Sequence, residues 1–468
     1  MSTNGHPDQE SDTEFGSDAD IAVTAATAIE SAGFVRVITR ADGDALAASG
    51  LLTAALSVTN TPFQVTVGRT IADRTERATR RTNTDADADA DTGDDSDELT
   101  VVFGTVDEPA RKHAIRLDSD ERPATLAAAD TVRELGSTGS DDSSDSSSPA
   151  GTPTDDPTGP EPTLDPVLAL AGLVAAGVDP GAGESEWVLE SARERGLVER
   201  RPGVAVPTAD PVDGLAHSTR LRAPWSGDLE ATREALSPTG LALDQPETFD
   251  GDDHRTLGSL VALDVVGADD ATETAATSIQ RVLRPYAITS DEYAFATVGG
   301  YAAVLEATAR AEPGTGAALA MGLDAREPAL AAWRAYGSRA HAALESASMG
   351  RYDGLFVVGI DDGPVEAVAQ IALAYRSPEP TVLAVGSGEA ALATRETGPG
   401  SGSIAATVEA IVRDLADDGV QATYDVGHRR GYLRFGAAES ASDADPDSQD
   451  AVTVADDSTI IAAVRGHY

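Results

Sequence analysis

Cysteine is absent from all 468 residues, which excludes disulfides and thiolate metal sites. Lysine occurs once, at Lys112, so nearly all positive charge sits on arginine. Aromatic residues make up only 4% of the chain, and no cluster of them forms a stacking platform for single strands. No glycine-rich nucleotide loop and no Ser/His/Asp arrangement rises above chance. Long apolar runs are also missing. The longest, Val167 to Val178, is about half of the ~20 residues that a membrane crossing needs. Met1 to Asp20 is polar and acidic, without the apolar stretch of a signal peptide, so a soluble, cytoplasmic protein with no membrane partner is expected.

What the chain has in excess is acid. Seventy-nine Asp and Glu against 34 Lys and Arg give a net charge of −45. The acids are spread through folded-looking stretches as well as linkers, which favours adaptation to a halophilic cytoplasm over a solvated tail or a basic partner. At 1 M salt the Debye length is on the order of 3 Å, so global charge neither attracts nor repels nucleic acid at range. Acidity therefore excludes no nucleic-acid function here. With 41% hydrophobic residues over this length, two or three packed units are expected.

Periodicity sets the organisation. Ile21 to Ala32 has helical spacing, and Gly33 is placed to end that helix. A strand over 34–39, a helix to about Leu56, a strand from Phe63 to Val67 and a helix over Arg69 to Arg81 follow, in the βαβ order of a parallel sheet. Further strands are expected at Leu99 to Phe103 and His113 to Leu117, with helices at Ala124 to Leu135 and Val167 to Val178. Residues 183–350 read as mostly helical. Strands at 355–359, 381–385, 421–424 and 431–435, with helices at 365–375 and 404–415, predict a second α/β unit. Low-complexity acidic inserts break this pattern at 83–98 and 136–163. The resulting division is a disordered acidic tail 1–20, an N-terminal unit 21–135, a linker 136–163, the rest of that unit with a helical connector 164–345, a C-terminal domain 346–436, and an acidic linker with a final edge strand 437–468.

The segment Val37-Ile38-Thr39-Arg40-Ala41-Asp42-Gly43-Asp44 ends an apolar strand in a tight acidic turn. Asp118, after another strand, belongs to the same carboxyl edge of the sheet, where chemistry in open α/β sheets is found. Oxygen ligands converging there suit Mn²⁺ or Mg²⁺, and paired ions can clamp a phosphodiester. The alternative is that these acids cap helix N-termini. Arg74, Arg77, Arg80 and Arg81 form a basic stripe at helical spacing, read as a solvated face because Asp73 and Glu76 partly neutralise it.

The turn resembles motif I of the DHH/DHHA1 phosphoesterase superfamily, in its archaeal RecJ-like branch. Leu117-Asp118-Ser119-Asp120 lies where that family has Asp-His-His before a helix, and Leu170 to Asp179 resembles the motif whose closing aspartate is a ligand. Ala216-His217-Ser218-Thr219 with Trp225, and Gly299 to Leu305, resemble further landmarks. Val426-Gly427-His428-Arg429-Arg430 is similar to a worn Gly-Gly-His motif of the associated domain. The resemblance implies two α/β lobes: an N-terminal parallel-sheet DHH domain and a smaller mixed-sheet DHHA1 domain, joined by a helical middle region. It implies Asp42, Asp44, Asp118 and Asp179 as ligands for Mn²⁺ or Mg²⁺. It also implies Gly427, His428, Arg429, Arg430 and Arg395 as contacts to a single-stranded nucleic-acid backbone.

The motifs depart from the family in chemically telling ways. Arg40 stands at one histidine position, Ser119 and Asp120 at the histidine pair, and Phe103 or Gly104 at an expected aspartate. Arginine offers only donors and cannot coordinate a cation. His113 belongs at the far end of its strand. Asp120 is a candidate oxygen ligand in place of imidazole. The expectation is a degenerate nuclease acting as a replication or repair scaffold, with GINS and the replicative helicase as partners by family precedent. The competing expectation is an active metal-dependent exonuclease or phosphodiesterase.

Overall fold

The computed structural model describes residues 18–80, 98–119, 122–138, 162–395, 403–435 and 457–468. The expected acidic tail, the inserts at 83–98 and 136–163, most of 437–453, and Asp120 fall almost entirely outside these residues.

Four strands build the first sheet: β1 (Phe34–Arg40), β2 (Phe63–Gly68), β3 (Glu98–Phe103) and β4 (Ala114–Arg116). Their order is β2-β1-β3-β4 and every pairing is parallel. β1 is central, with Val35, Val37 and Ile38 inaccessible to solvent. A parallel strand covered on both faces reads as a mostly apolar run, here broken by the buried Arg36 and Thr39, which is why it is legible in the sequence. The helix Gly43–Val58 runs back from β1 and packs against the helices Ala124–Thr138 and Pro166–Ala175. Small residues allow close approach there. A Cβ at Gly172 would overlap the Thr125 hydroxyl and the Ala47 methyl, and one at Gly50 would strike the Ala320 carbonyl.

The middle region is helical apart from a short antiparallel pair, β5 (Val198–Arg200) with β6 (Tyr286–Ile288). Its helix Val298–Ala311 packs on Gly43–Val58 and Pro166–Ala175, and on the long helix Arg326–Ser346, which in turn meets the helix Val365–Tyr375. One apolar core thus continues from β1 through the connector to one face of the C-terminal sheet.

That second sheet has six strands: β7 (Ser348–Tyr352), β8 (Leu355–Gly359), β9 (Thr381–Gly386), β10 (Glu389–Thr394), β11 (Ala422–Gly427) and β12 (Arg430–Phe435). The order is β11-β12-β10-β9-β8-β7, with β8 and β9 parallel and the rest antiparallel. A second apolar core, containing Leu383, Leu392, Val408 and Leu433, lies on its other face.

The α/β class and the parallel-then-mixed sheet order agree with the sequence reading. Three features do not. The expected C-terminal edge strand is instead a helix, Asp457–Arg465, whose Ile460 and Val464 pack into the second core. β7 and β10 have no counterpart in the sequence reading: β10 is short and alanine-rich, and β7 carries Gly350 and Arg351 on an exposed edge. The basic stripe departs from a solvated face at one position: in the helix Ile71–Thr79 Arg74 has no exposure at all, while Arg77 is half-buried and Arg80 is exposed. Arg81 lies outside the described residues.

Substituting Gly172→Ala should force the helices Pro166–Ala175 and Ala124–Thr138 apart, costing on the order of 1–3 kcal/mol by overpacking. A thermal midpoint equal to that of the wild type would contradict this packing.

Candidate site at the carboxyl edge of the parallel sheet

The strand β1 leaves the sheet at Arg40, and Asp42 takes an extended backbone conformation as N-cap of Gly43–Val58. Its Oδ1 accepts from the amide of Ala45 at 2.8 Å, the bond that an N-cap acid makes to a helix's free donors. Its Oδ2 receives two guanidiniums, Nε of Arg40 from its own strand end and an amino group of Arg430 from β12 in the other lobe. Asp42 is 1% exposed. Burial alone pushes its carboxyl upward, but Arg40, Arg430 and the Ala45 amide together hold it well below the usual carboxylate range.

Asp44, one residue into the helix, caps a different one. Its two oxygens accept from the amides of Ala124 and Thr125, each at 2.9 Å, and the Thr125 hydroxyl donates to the Asp44 carbonyl. Burial, and then the adjacent Asp42 charge, push its carboxyl from 3.8 up to about 6. Asp118 follows β4 and accepts from the Gly104 amide at 2.8 Å and Nε of Arg116 at 3.1 Å, with its other oxygen 3.9 Å from Arg40. Gly104 has φ +115, so the position expected to hold a family aspartate here needs a glycine. Asp179 is exposed, in the loop after Pro166–Ala175, and like Glu306 it acts electrostatically on Arg220.

Glu306 was missed by sequence reasoning. It lies in Val298–Ala311, directly after the Gly299 to Leu305 landmark, and reaches into the same site. Its Oε2 accepts from the Gly43 amide at 2.7 Å, and its Oε1 accepts from Arg430 at 3.1 Å and Arg310 at 2.5 Å. A Cβ on Gly43 would lie 2.8 Å from the Ala175 methyl and 3.1 Å from the Glu306 amide nitrogen, so a larger residue would push these helices apart. Arg310 continues to Glu366 of the C-terminal lobe, and Glu366 is shared with Arg69, 2.8 Å away. The i, i+4 spacing of Glu306 and Arg310 was a readable helix-face pair. Nothing in the sequence, however, pointed to Glu366 or Arg69 as its continuation.

The residues expected to face phosphate divide. Arg430 turns inward to Asp42 and Glu306. A Cβ on Gly427 would lie 2.8 Å from Nε of Arg430, so the bare backbone there makes room for this side chain. His428 and Arg429 form the exposed turn of the β11–β12 hairpin. Arg395 donates to the carbonyls of Leu373, Ser377 and Glu379, stapling the end of a helix. The His217 and Trp225 landmark is packed inside: His217 meets Trp333 edge-on, and Trp225 donates to Asp264.

These residues do not fit a divalent cation. The acids that the structure brings together already face fixed donors: two guanidiniums on Asp42, two helix amides on Asp44, an amide and Arg116 on Asp118. Among the described residues no group of three or more His, Asp or Glu is arranged to hold a metal ion.

The raised carboxyl of Asp44 has a definite sign. The folded chain binds that proton more tightly than the unfolded one, so its contribution to stability is complete below about pH 4 and is lost as pH rises through about 6, a change on the order of 2–3 kcal/mol. The stability of the wild type minus that of Asp44→Asn should therefore decline between about pH 4 and 6.5 in urea titrations. A difference that stays level would contradict it.

Comparison with known proteins agrees with this architecture. Residues 347–466 match the family described as "Uncharacterized protein rrnAC1427, C-terminal domain". The uncharacterized protein rrnAC1427 of Haloarcula marismortui is 40% identical over 399 residues, covering 84% of this chain and 89% of its own. Among solved structures, CDC45 from Entamoeba histolytica superposes with a TM-score of 0.53 at 7% identity, over 90% of this chain and 95% of that one. Exonuclease RecJ bound to manganese gives 0.42 at 13% identity, over 90% of each chain. No helix among the described residues is long and apolar enough to cross a membrane. With its parallel sheet, its mixed C-terminal sheet and this kinship, the chain shares the fold of CDC45 from Entamoeba histolytica and belongs to the family of Haloarcula marismortui rrnAC1427.

Proposed function

We propose that this protein is a non-hydrolytic member of its fold that binds single-stranded nucleic acid and serves as a replication or repair scaffold. The observation that carries the reading is the double guanidinium on Asp42. Metal-assisted cleavage of a phosphodiester needs carboxylates free to position cations and water. Here the carboxylate at the strand end is neutralised by residues that cannot be deprotonated. The CDC45-like fold supports a scaffold role, with GINS and the replicative helicase as the partners to test. The exposed hairpin turn bearing His428 and Arg429 is the proposed contact to the nucleic-acid backbone, where arginine pairs with phosphate oxygens.

The experiment is incubation of the purified protein with end-labelled single strands and Mn²⁺ in molar KCl. The strands should remain intact while a bound fraction forms. Degradation that disappears in an Asp42→Ala, Asp44→Ala double variant would overturn the proposal in favour of a metal-dependent exonuclease or phosphodiesterase. Replacing His428 and Arg429 with alanine should weaken binding and lower the slope of log affinity against log salt by about 0.7 for each phosphate that the hairpin neutralises. An unchanged slope would remove the hairpin from the interface.

A further inference from the structure

The C-terminal lobe meets the rest of the molecule through two unlike surfaces. On one side the contact is apolar: the helix Val365–Tyr375 packs on Arg326–Ser346 and on the helix Glu273–Gln280, within the continuous core. On the other side, where β11 and β12 approach the carboxyl edge of the parallel sheet, Ile71 reaches into the second core, and beside it the contact is a run of alternating charges that ends on Glu366 in the first turn of the helix Val365–Tyr375. Asp42 meets Arg430, Arg430 meets Glu306, Glu306 meets Arg310, Arg310 meets Glu366, and Glu366 meets Arg69. A separate fastening joins Arg74 to Asp425 on β11, at 2.5 Å. Each lobe supplies both signs, so the seam is internally neutral and mutually dependent.

We infer that this ionic seam is the side on which the lobes part, that the apolar side is the pivot, and that Arg430 is the latch. The physical asymmetry carries the inference. Separating the apolar side exposes core to water with nothing to replace it. Charged groups released along the seam can instead take up water, salt ions or the phosphates of a ligand. Arg430 is the point where the seam is held from both halves of the other lobe at once, since it bridges Asp42 at a strand end and Glu306 on the connector. Its own strand hangs on the hairpin whose tip carries His428 and Arg429, so lifting that hairpin withdraws the guanidinium. The latch goes beyond the proposed function and does not need it, because it concerns lobe geometry without any ligand.

The absence of cysteine makes the test direct. Lys112→Cys in the N-terminal lobe and Met349→Cys on β7, both at exposed positions, give the only two thiols for spin labels in the full-length chain. The double electron–electron resonance distance distribution should be narrow, and unaltered by Mn²⁺ or by chelator. Arg430→Met should add a longer-distance component, and Glu306→Gln should do the same should the first variant fail to fold. Arg334→Met, which breaks a pair with Asp213 inside the connector, should leave the distribution as it is. An unaltered distribution in folded Arg430→Met or Glu306→Gln, or an equal change in Arg334→Met, would overturn the latch. Neither outcome depends on nuclease activity or oligonucleotide binding.

Discussion

A carboxylate that is 1% exposed can remain ionised only if its surroundings replace the water it has lost. At Asp42 that replacement comes from three places at once: the start of a helix, the end of its own strand, and a strand 388 residues away in sequence. The first is local and would form in any βα turn. The other two are arginines, and they decide what the site can be. Removing one partner from such a buried pair leaves an uncompensated charge, typically a loss of about 3–5 kcal/mol. Asp42 is therefore one of the points that couple the two lobes, beside the pairs Arg310–Glu366, Arg69–Glu366 and Arg74–Asp425.

A guanidinium attached to the chain differs from a bound cation in a way that matters for stability. Metal occupancy varies with ion concentration and with the protonation of its ligands. Arginine stays protonated at any pH a protein meets, and it travels with the fold. Arg40 and Arg430 thus organise the carboxyl edge of the sheet without an ion drawn from solution, and they do so with directional donors rather than spherical coordination. The neighbouring acids follow the same logic: Asp44 orders the start of Ala124–Thr138, and Asp118 orders the turn after β3.

Much of this is legible in the sequence, and the reasons differ by element. β1, the helix Gly43–Val58 and the helix Val365–Tyr375 announce themselves through mostly apolar runs or clear periodicity, because burial on both faces or on one stripe dictates composition. Asp42 and Asp44 do cap helices, and local backbone geometry is what makes such a bond predictable. What the sequence does not carry is pairing across the fold. Arg74 looks like part of a charged helix face, yet its partner Asp425 is 351 residues away. Glu306 and Arg310 carry a helical spacing but no sign of the lobe they meet. Long-range ion pairs leave no periodic trace, since either sign on any surface position is compatible with the local pattern. The misassigned C-terminus is a different failure: Ile460, Ile461 and Val464 suit a strand by composition, and only packing onto the second core selects the helix.

The helix Ala124–Thr138 and the helix Pro166–Ala175 both rest on Gly43–Val58, and the chain leaves the first and re-enters the second at nearly one point. A methyl group placed on Gly136 would come within 2.9 Å of the Pro162 carbonyl oxygen. The stretch between them therefore closes a circuit whose two ends are already fixed by the packing of its neighbours. For any segment that joins two fixed points, doubling the length adds only about 0.6 kcal/mol of closure entropy. This corner of the molecule is consequently a natural port, where residues can be deleted, a foreign domain spliced in, or new termini opened while the sheet behind it stays intact.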